Sequence, residues 1–178
     1  MKKIILVLTA VIAFSASQAQ TKFGLKGGIN SSKERYPEAA LSTDSKVGFL
    51  VGGFVTIPAG KKMSIQTELL FQTLGGKSMV ENMKTTYIQV PVLFKLNANK
   101  KVYFEAGPQI GFLLSAKSGA TNQKAAYKST DLQLALGTGF NINKQVSLGL
   151  RYGSTLGSMG KDDKGKNQSF ALSLAYSF

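Results

Sequence analysis

The chain has neither cysteine nor histidine among its 178 residues. Without cysteine there are no disulfide staples, so stability has to come from a large packed sheet. Without either residue, the common zinc sites and histidine-based acid–base or triad catalysis are excluded, which points to no cofactor and no enzymatic activity. Acidic residues are scarce: nine Asp and Glu stand against 22 Lys and Arg, for a formal net charge of +13. Long apolar runs are also missing. The longest, Ile4 to Phe14, falls well short of the about twenty residues a helix needs to cross a bilayer. A mean hydropathy close to zero excludes a helical membrane protein. It does not exclude a membrane barrel, in which only every second residue of a strand meets lipid.

What is present begins with an export signal. Lys2 and Lys3 precede the apolar run, and Ser17-Gln18-Ala19 fits the small-x-small rule for signal-peptidase cleavage. The expected organisation is therefore a signal peptide over 1–19 and one domain over 20–178.

The stretch Gln168 to Phe178, QSFALSLAYSF, sets the pattern for the rest. Phe170, Leu172, Leu174, Tyr176 and Phe178 alternate with Ser169, Ala171, Ser173, Ala175 and Ser177, which is the period-two signature of a strand with two different faces. Seven more segments alternate in the same way: 22–32, 46–58, 62–74, 85–96, 101–115, 130–142 and 146–152. Their connections alternate between polar segments (33–45, 75–84, 116–129 and 154–167) and short turns at Ala59-Gly60-Lys61, Asn97 to Lys100 and Asn143-Lys144. Eight strands with this long–short rhythm predict an all-β, eight-stranded antiparallel up-and-down transmembrane barrel with both termini on the short-turn, periplasmic side. A soluble barrel also meanders, but it does not require the rhythm.

The chemistry of the two faces orients the wall. The large aliphatic face carries no charge within any strand, whereas the glycine, alanine and serine face carries Lys22, Lys26, Lys46, Lys95, Arg151, Glu68, Glu105 and Asp131. Small side chains suit the crowded inside of a narrow barrel, so the large face is assigned to lipid. Leu174→Arg is then expected to impair insertion far more than Ser173→Arg. Phe23, Phe104, Phe140, Tyr176 and Phe178 at the short-turn ends, with Phe49, Phe71, Phe112, Tyr152 and Phe170 nearer the long loops, are the expected aromatic girdles.

Inward charges in a filled barrel need partners. Lys26, Lys95 and Arg151 are expected to form a lumen ion-pair network with Glu68, Glu105 and Asp131 that closes the pore. This is a better reading of Glu68 and Glu105 than a paired-carboxylate site. Leu50, Phe54, Leu70, Leu93 and Leu113 fall on the inward face, implying either a partly apolar lumen or local register shifts. Pro91 and Pro108 lie inside strands of a wall with no edge, and bulges are expected at both. The glycine-rich pieces Gly24 to Gly28 and Gly137 to Gly139 lack phosphate-loop spacing and are expected to relieve crowding in the wall.

Three segments, YIQVPVLFKL at Tyr87 to Leu96, YFEAGPQIGFLLSA at Tyr103 to Ala116 and LGLRYGSTLGSM at Leu148 to Met159, together with the opening QTKFGLKGGIN, resemble the PorT-like outer-membrane β-barrel domain family. The resemblance covers almost all of the mature chain. It implies an eight-stranded outer-membrane barrel of a Gram-negative bacterium, with a terminal aromatic similar to the signal read by the outer-membrane assembly machinery. It implies no particular activity.

Three functions are consistent with these features. The first is a structural or interaction barrel with a filled lumen, displaying four long external loops to an unknown protein partner. The second is an accessory component of a transport or secretion assembly. The third is a periplasmic barrel binding an apolar ligand through Leu50, Phe54, Leu70 and Leu93. The expected partners are the lipid bilayer, at the turn lysines Lys61, Lys62, Lys100, Lys101 and Lys144, and lipopolysaccharide, at the loop lysines Lys117, Lys124, Lys128, Lys161, Lys164 and Lys166. Export and the lack of a basic stripe with stacking aromatics argue against nucleic acid.

Overall fold

Residues that alternate large and small along a chain can satisfy their backbone groups in lipid only by pairing every strand on both sides. The computed structural model describes residues 21–35, 44–77, 82–118, 121–122, 128–157 and 166–178, and its long strands close in that way. The strands are β1 Lys22–Arg35, β2 Asp44–Pro58, β3 Met63–Lys77, β4 Asn82–Asn97, β5 Val102–Ser118, β6 Thr121–Asn122, β7 Thr130–Asn141, β8 Val146–Thr155 and β9 Lys166–Ser177. Each of the eight long strands pairs antiparallel with its neighbours, β4 meets β5, and β9 meets β1. The closing seam runs from Gly24↔Ser177 to Arg35↔Lys166, and the Phe178 amide donates to the Phe23 carbonyl at 2.9 Å. The ninth strand, β6, is a two-residue addition paired only to Lys117 and Ser118 of β5. The expected signal peptide lies outside the described residues.

The two faces separate as the alternation requires. In β9, Phe170, Leu172, Leu174 and Tyr176 point outward and are exposed, while Ser169, Ala171, Ser173 and Ala175 are buried inside. Outward positions on the other strands are likewise large and apolar, among them Leu25, Ile29, Val51, Leu69, Phe94, Leu132 and Leu150. Exposing that much aliphatic surface would be unfavourable in water and is the requirement of a lipid-facing wall.

The strands run further into the expected polar segments than composition indicated: β1 reaches Arg35, β5 reaches Ser118 and β9 begins at Lys166. The polar segment 75–84 is largely strand, because Gly75↔Lys84, Gly76↔Met83 and Lys77↔Asn82 continue the β3–β4 ladder. Polar composition marked where the strands leave the apolar band, which is a different boundary from the end of their pairing.

The bulges expected at Pro91 and Pro108 are absent. The β3–β4 register is the same on both sides of Pro91, between Thr67↔Val92 and Leu70↔Gln89, and the intervening rungs are missing. The β4–β5 ladder likewise skips from Pro91↔Gln109 to Phe94↔Ala106 without a shift, and Pro108 sits opposite Leu134 in an unbroken β5–β7 register. A missing N–H removes a rung; it does not oblige the chain to insert a residue. The register shifts occur elsewhere, in β2 between Ser45 and Leu50 and between β4 and β5 at Thr86/Tyr87. At the second shift Leu113 and Ala116 both face inward, where they pack with Leu74 and Tyr87.

Candidate functional site

The chemistry of this barrel is concentrated in its lumen, which is built in levels. Near mid-barrel, Lys95, Glu105, Gly137, Arg151 and Ala171 form one row across four adjoining strand pairs, each residue opposite the next. Gly137 separates Glu105 from Arg151 in that row. A Cβ there would lie 2.9 Å from Glu105 Cγ and Oε1, so the glycine leaves the space through which Arg151 reaches Glu105. Arg151 Nε and Nη2 contact Glu105 Oε1, each at 2.7 Å. From the opposite wall Glu68 meets the same guanidinium, with Nη1 to Oε2 at 2.7 Å and Nη2 to Oε1 at 2.8 Å. Lys26 Nζ donates to Glu68 Oε1 at 2.5 Å. Two cations and two carboxylates are thus joined across the pore, and Gln66 Nε2 adds a further donor to Glu68.

Two of the six expected network members stand apart. Lys95 is opposite Glu105 in the ladder, yet its ammonium turns toward the short-turn mouth, donates to Gln66 Oε1 at 3.0 Å and sits 3.8 Å from the centre of the Tyr103 ring. Asp131 lies beyond the network toward the loops, bonded to Gln133 Nε2 and to Thr155 Oγ1 at 3.3 Å. Neither makes an ion pair among the described residues. Alternation placed both on the inner face, but their height in the barrel separates them from their expected partners.

Above the ion pairs comes a level that charge and aromatic patterns did not reveal. Gln72, Gln89, Gln109 and Gln133 are all buried, and Gln109 Nε2 donates to Gln133 Oε1 at 2.5 Å. Their signal was there in the inward parity of four glutamines at similar depth. Leu74, Tyr87, Leu113 and Ala116 form an apolar cap beside them. Leu50, Phe54, Leu70 and Leu93 are also buried in the lumen, so the lumen is partly apolar, and the cavity beside Leu50 and Leu70 measures about 20 Å³. That is room for about one water and not for an apolar ligand.

At the short-turn end the lumen opens into a vestibule of about 650 Å³. Tyr103 forms part of its wall, with its ring over Gly139: a Cβ on that glycine would lie 2.2 Å from Tyr103 Cζ. Phe54 occupies the corresponding space over Gly24, where a Cβ would lie 2.3 Å from its ring. Both glycines are therefore sites of close approach.

On the outer wall, nine of the ten expected girdle aromatics are exposed and Tyr152 is half-buried. Phe49 and Phe71 lie 6.0 Å apart, Tyr152 and Phe170 4.9 Å, and Tyr176 and Phe178 5.6 Å. Phe94, not among the expected ten, also projects outward. No group of three or more metal-ligating side chains occurs among the described residues.

A family model described as the outer membrane protein beta-barrel domain matches residues 16–159. The chain belongs to that family. No curated protein matches the sequence. Among solved structures, neisserial surface protein A, NspA, is similar with a TM-score of 0.62 at 13% identity, over 88% of this chain and 97% of that one. Ail, the attachment invasion locus protein of Yersinia pestis, in complex with the heparin analogue sucrose octasulfate, is similar with a TM-score of 0.58 at 17% identity, over 89% of this chain and 99% of that one. At such identities the likeness is one of fold. The protein is a small barrel of the Gram-negative outer membrane, and its apolar outer face contacts the bilayer.

Proposed function

We propose that this outer-membrane barrel is a structural or interaction protein, a rigid wall with a closed lumen that displays its long loops outside the cell. The observation that carries this reading is the Lys26–Glu68–Arg151–Glu105 cluster, which bridges opposite walls, with a small cavity of about 20 Å³ above it. In such a barrel the wall supports the loops, and the loops carry recognition. Residues 1–19 act as the signal peptide, both termini are periplasmic, and β9 with its terminal Phe178 is the segment read by the assembly machinery. The exposed aromatics form two interfacial girdles. Within the family the chain falls in the PorT-like branch, on the strength of its Tyr87 to Leu96, Tyr103 to Ala116 and Leu148 to Met159 segments. Its role is non-enzymatic, a reading supported by the lack of histidine and cysteine, which removes histidine-based and thiol catalysis. Lysines at the long-loop end of the barrel, such as Lys117 at the end of β5 and Lys128, contact lipopolysaccharide phosphates. That Ail was solved with a polysulfated ligand is compatible with anion contacts on this fold.

The second reading, an accessory subunit of a transport or secretion assembly, rests on the PorT-like resemblance and uses the same closed wall. The periplasmic apolar-ligand reading is disfavoured by the lumen, whose inward leucines are buried beside a cavity with room for about one water. Affinity capture from detergent-solubilised outer membranes, using the full chain and variants with each long loop shortened, tests the proposal. One or more loops should prove necessary for retaining a partner. Partner retention by a variant with every long loop shortened would overturn it.

A further inference from the structure

The short-turn vestibule carries a charge pattern that the closed lumen does not account for. Lys22, Lys61, Lys95, Lys100, Lys101 and Lys144 line it, contributed by the start of β1, by the β2–β3, β4–β5 and β7–β8 turns and by β4. No Asp or Glu is among its lining residues, and none of the six lysines makes an ion pair among the described residues. Lys26 reaches the floor, but its charge is matched by Glu68. Lys95 is set deeper than the turn lysines and is half-buried, its ammonium positioned by Gln66 and the Tyr103 ring. Neutral hydrogen-bonding side chains, including Ser64, Asn97 and Ser147, and apolar ones, including Phe54, Met63 and Val146, make up the rest of the wall.

Like charges gathered in a concave, low-dielectric mouth repel one another and focus a positive potential into it. The ion-pair cluster closes the inner end, so an anion entering the vestibule is held and not conducted. We infer that the short-turn vestibule is a binding site for a compact phosphate-bearing polyanion, with Lys95 as the deep contact and the turn lysines as the rim. The phosphate belongs either to a soluble ligand or to a lipid headgroup reaching over the rim. This site lies at the opposite end of the barrel from the long loops and stands independently of their role.

The test uses the full mature chain folded in a zwitterionic detergent, with tripolyphosphate as the probe and isothermal titration calorimetry as the readout. One saturable site is expected. Lys95→Gln should weaken it about tenfold, as loss of one charge-assisted contact does. The double variant Lys100→Gln, Lys101→Gln should weaken it as well, and Lys62→Gln, outside the lining, should leave it unchanged. Heat-modifiable electrophoretic mobility establishes that each variant is folded. Absence of saturation, or equal weakening by Lys62→Gln and Lys95→Gln in folded protein, overturns the site in favour of diffuse surface charge. In bilayer discs of phosphatidylcholine, binding should persist, and its loss there also overturns the proposal. If added phosphatidylglycerol then displaces tripolyphosphate, the occupant is lipid phosphate; if it does not, the occupant is a soluble phosphate ligand.

Discussion

Arg151 holds Glu68 in a two-pronged contact across the barrel, with both terminal guanidinium nitrogens within 2.8 Å of the two carboxylate oxygens. The residues are 83 apart in sequence, and no strand pairing joins β3 to β8. The contact is therefore a cross-brace, and it is also where the wall is most vulnerable. A buried pair adds little over a well-packed apolar substitute, but removing one partner strands the other charge.

Glu68→Ala leaves Arg151 with Glu105 alone and takes away the ion-pair partner of Lys26. Unfolding free energy in lipid vesicles, measured by urea titration, should fall by about 3–5 kcal/mol. A loss under about 1 kcal/mol, the range of exposed pairs, would show that water already screens the cluster.

The lumen should be electrically silent. Purified wild-type protein in planar bilayers is expected to give no stepwise conductance, whereas the combined Lys26→Ala, Glu68→Ala, Arg151→Ala variant removes the ion-pair level and should conduct. Ohmic steps from the wild type would contradict the closed pore.

The Tyr103–Gly139 contact predicts a coupled pair. Gly139→Ala drives a methyl into the Tyr103 ring and should be destabilising, and Tyr103→Ala should recover part of that loss in the double variant. A double-mutant cycle should give an interaction of about 0.5–3 kcal/mol. The recovery will be incomplete because the added Cβ also lies 2.6 Å from the Leu148 carbonyl oxygen.

Leu174→Arg places a charge on the lipid face and should reduce folding into vesicles by about 2 kcal/mol. The inward comparison expected at Ser173 does not serve, because Ser173 is wedged between Gly28 and Gly149 and has no room for Arg. Ser177, which shares its parity but lines the vestibule, is the informative control. Ser177→Arg should fold at near wild-type yield, and equal impairment by the two substitutions would undermine the assignment of faces.

The strands and their faces were legible because alternation is a local property. Whether Leu172 or Ser173 points outward depends on parity within β9 and needs no knowledge of any other strand. Sequence alone therefore determined eight strands, an outer face free of charge across its apolar band, the inward set of Lys26, Glu68, Lys95, Glu105, Asp131 and Arg151, and a chain that could not rely on disulfides. It did not determine which of those charges meet. Parity assigns a side but not a height, and height follows from the register of all eight pairings and from the shifts in β2 and β5. Only the tertiary structure joined Arg151 to Glu68, turned Lys95 toward Tyr103, left Asp131 among neutral partners and gathered turn lysines from distant hairpins around one mouth. Those contacts form between residues that become neighbours only once the sheet has closed.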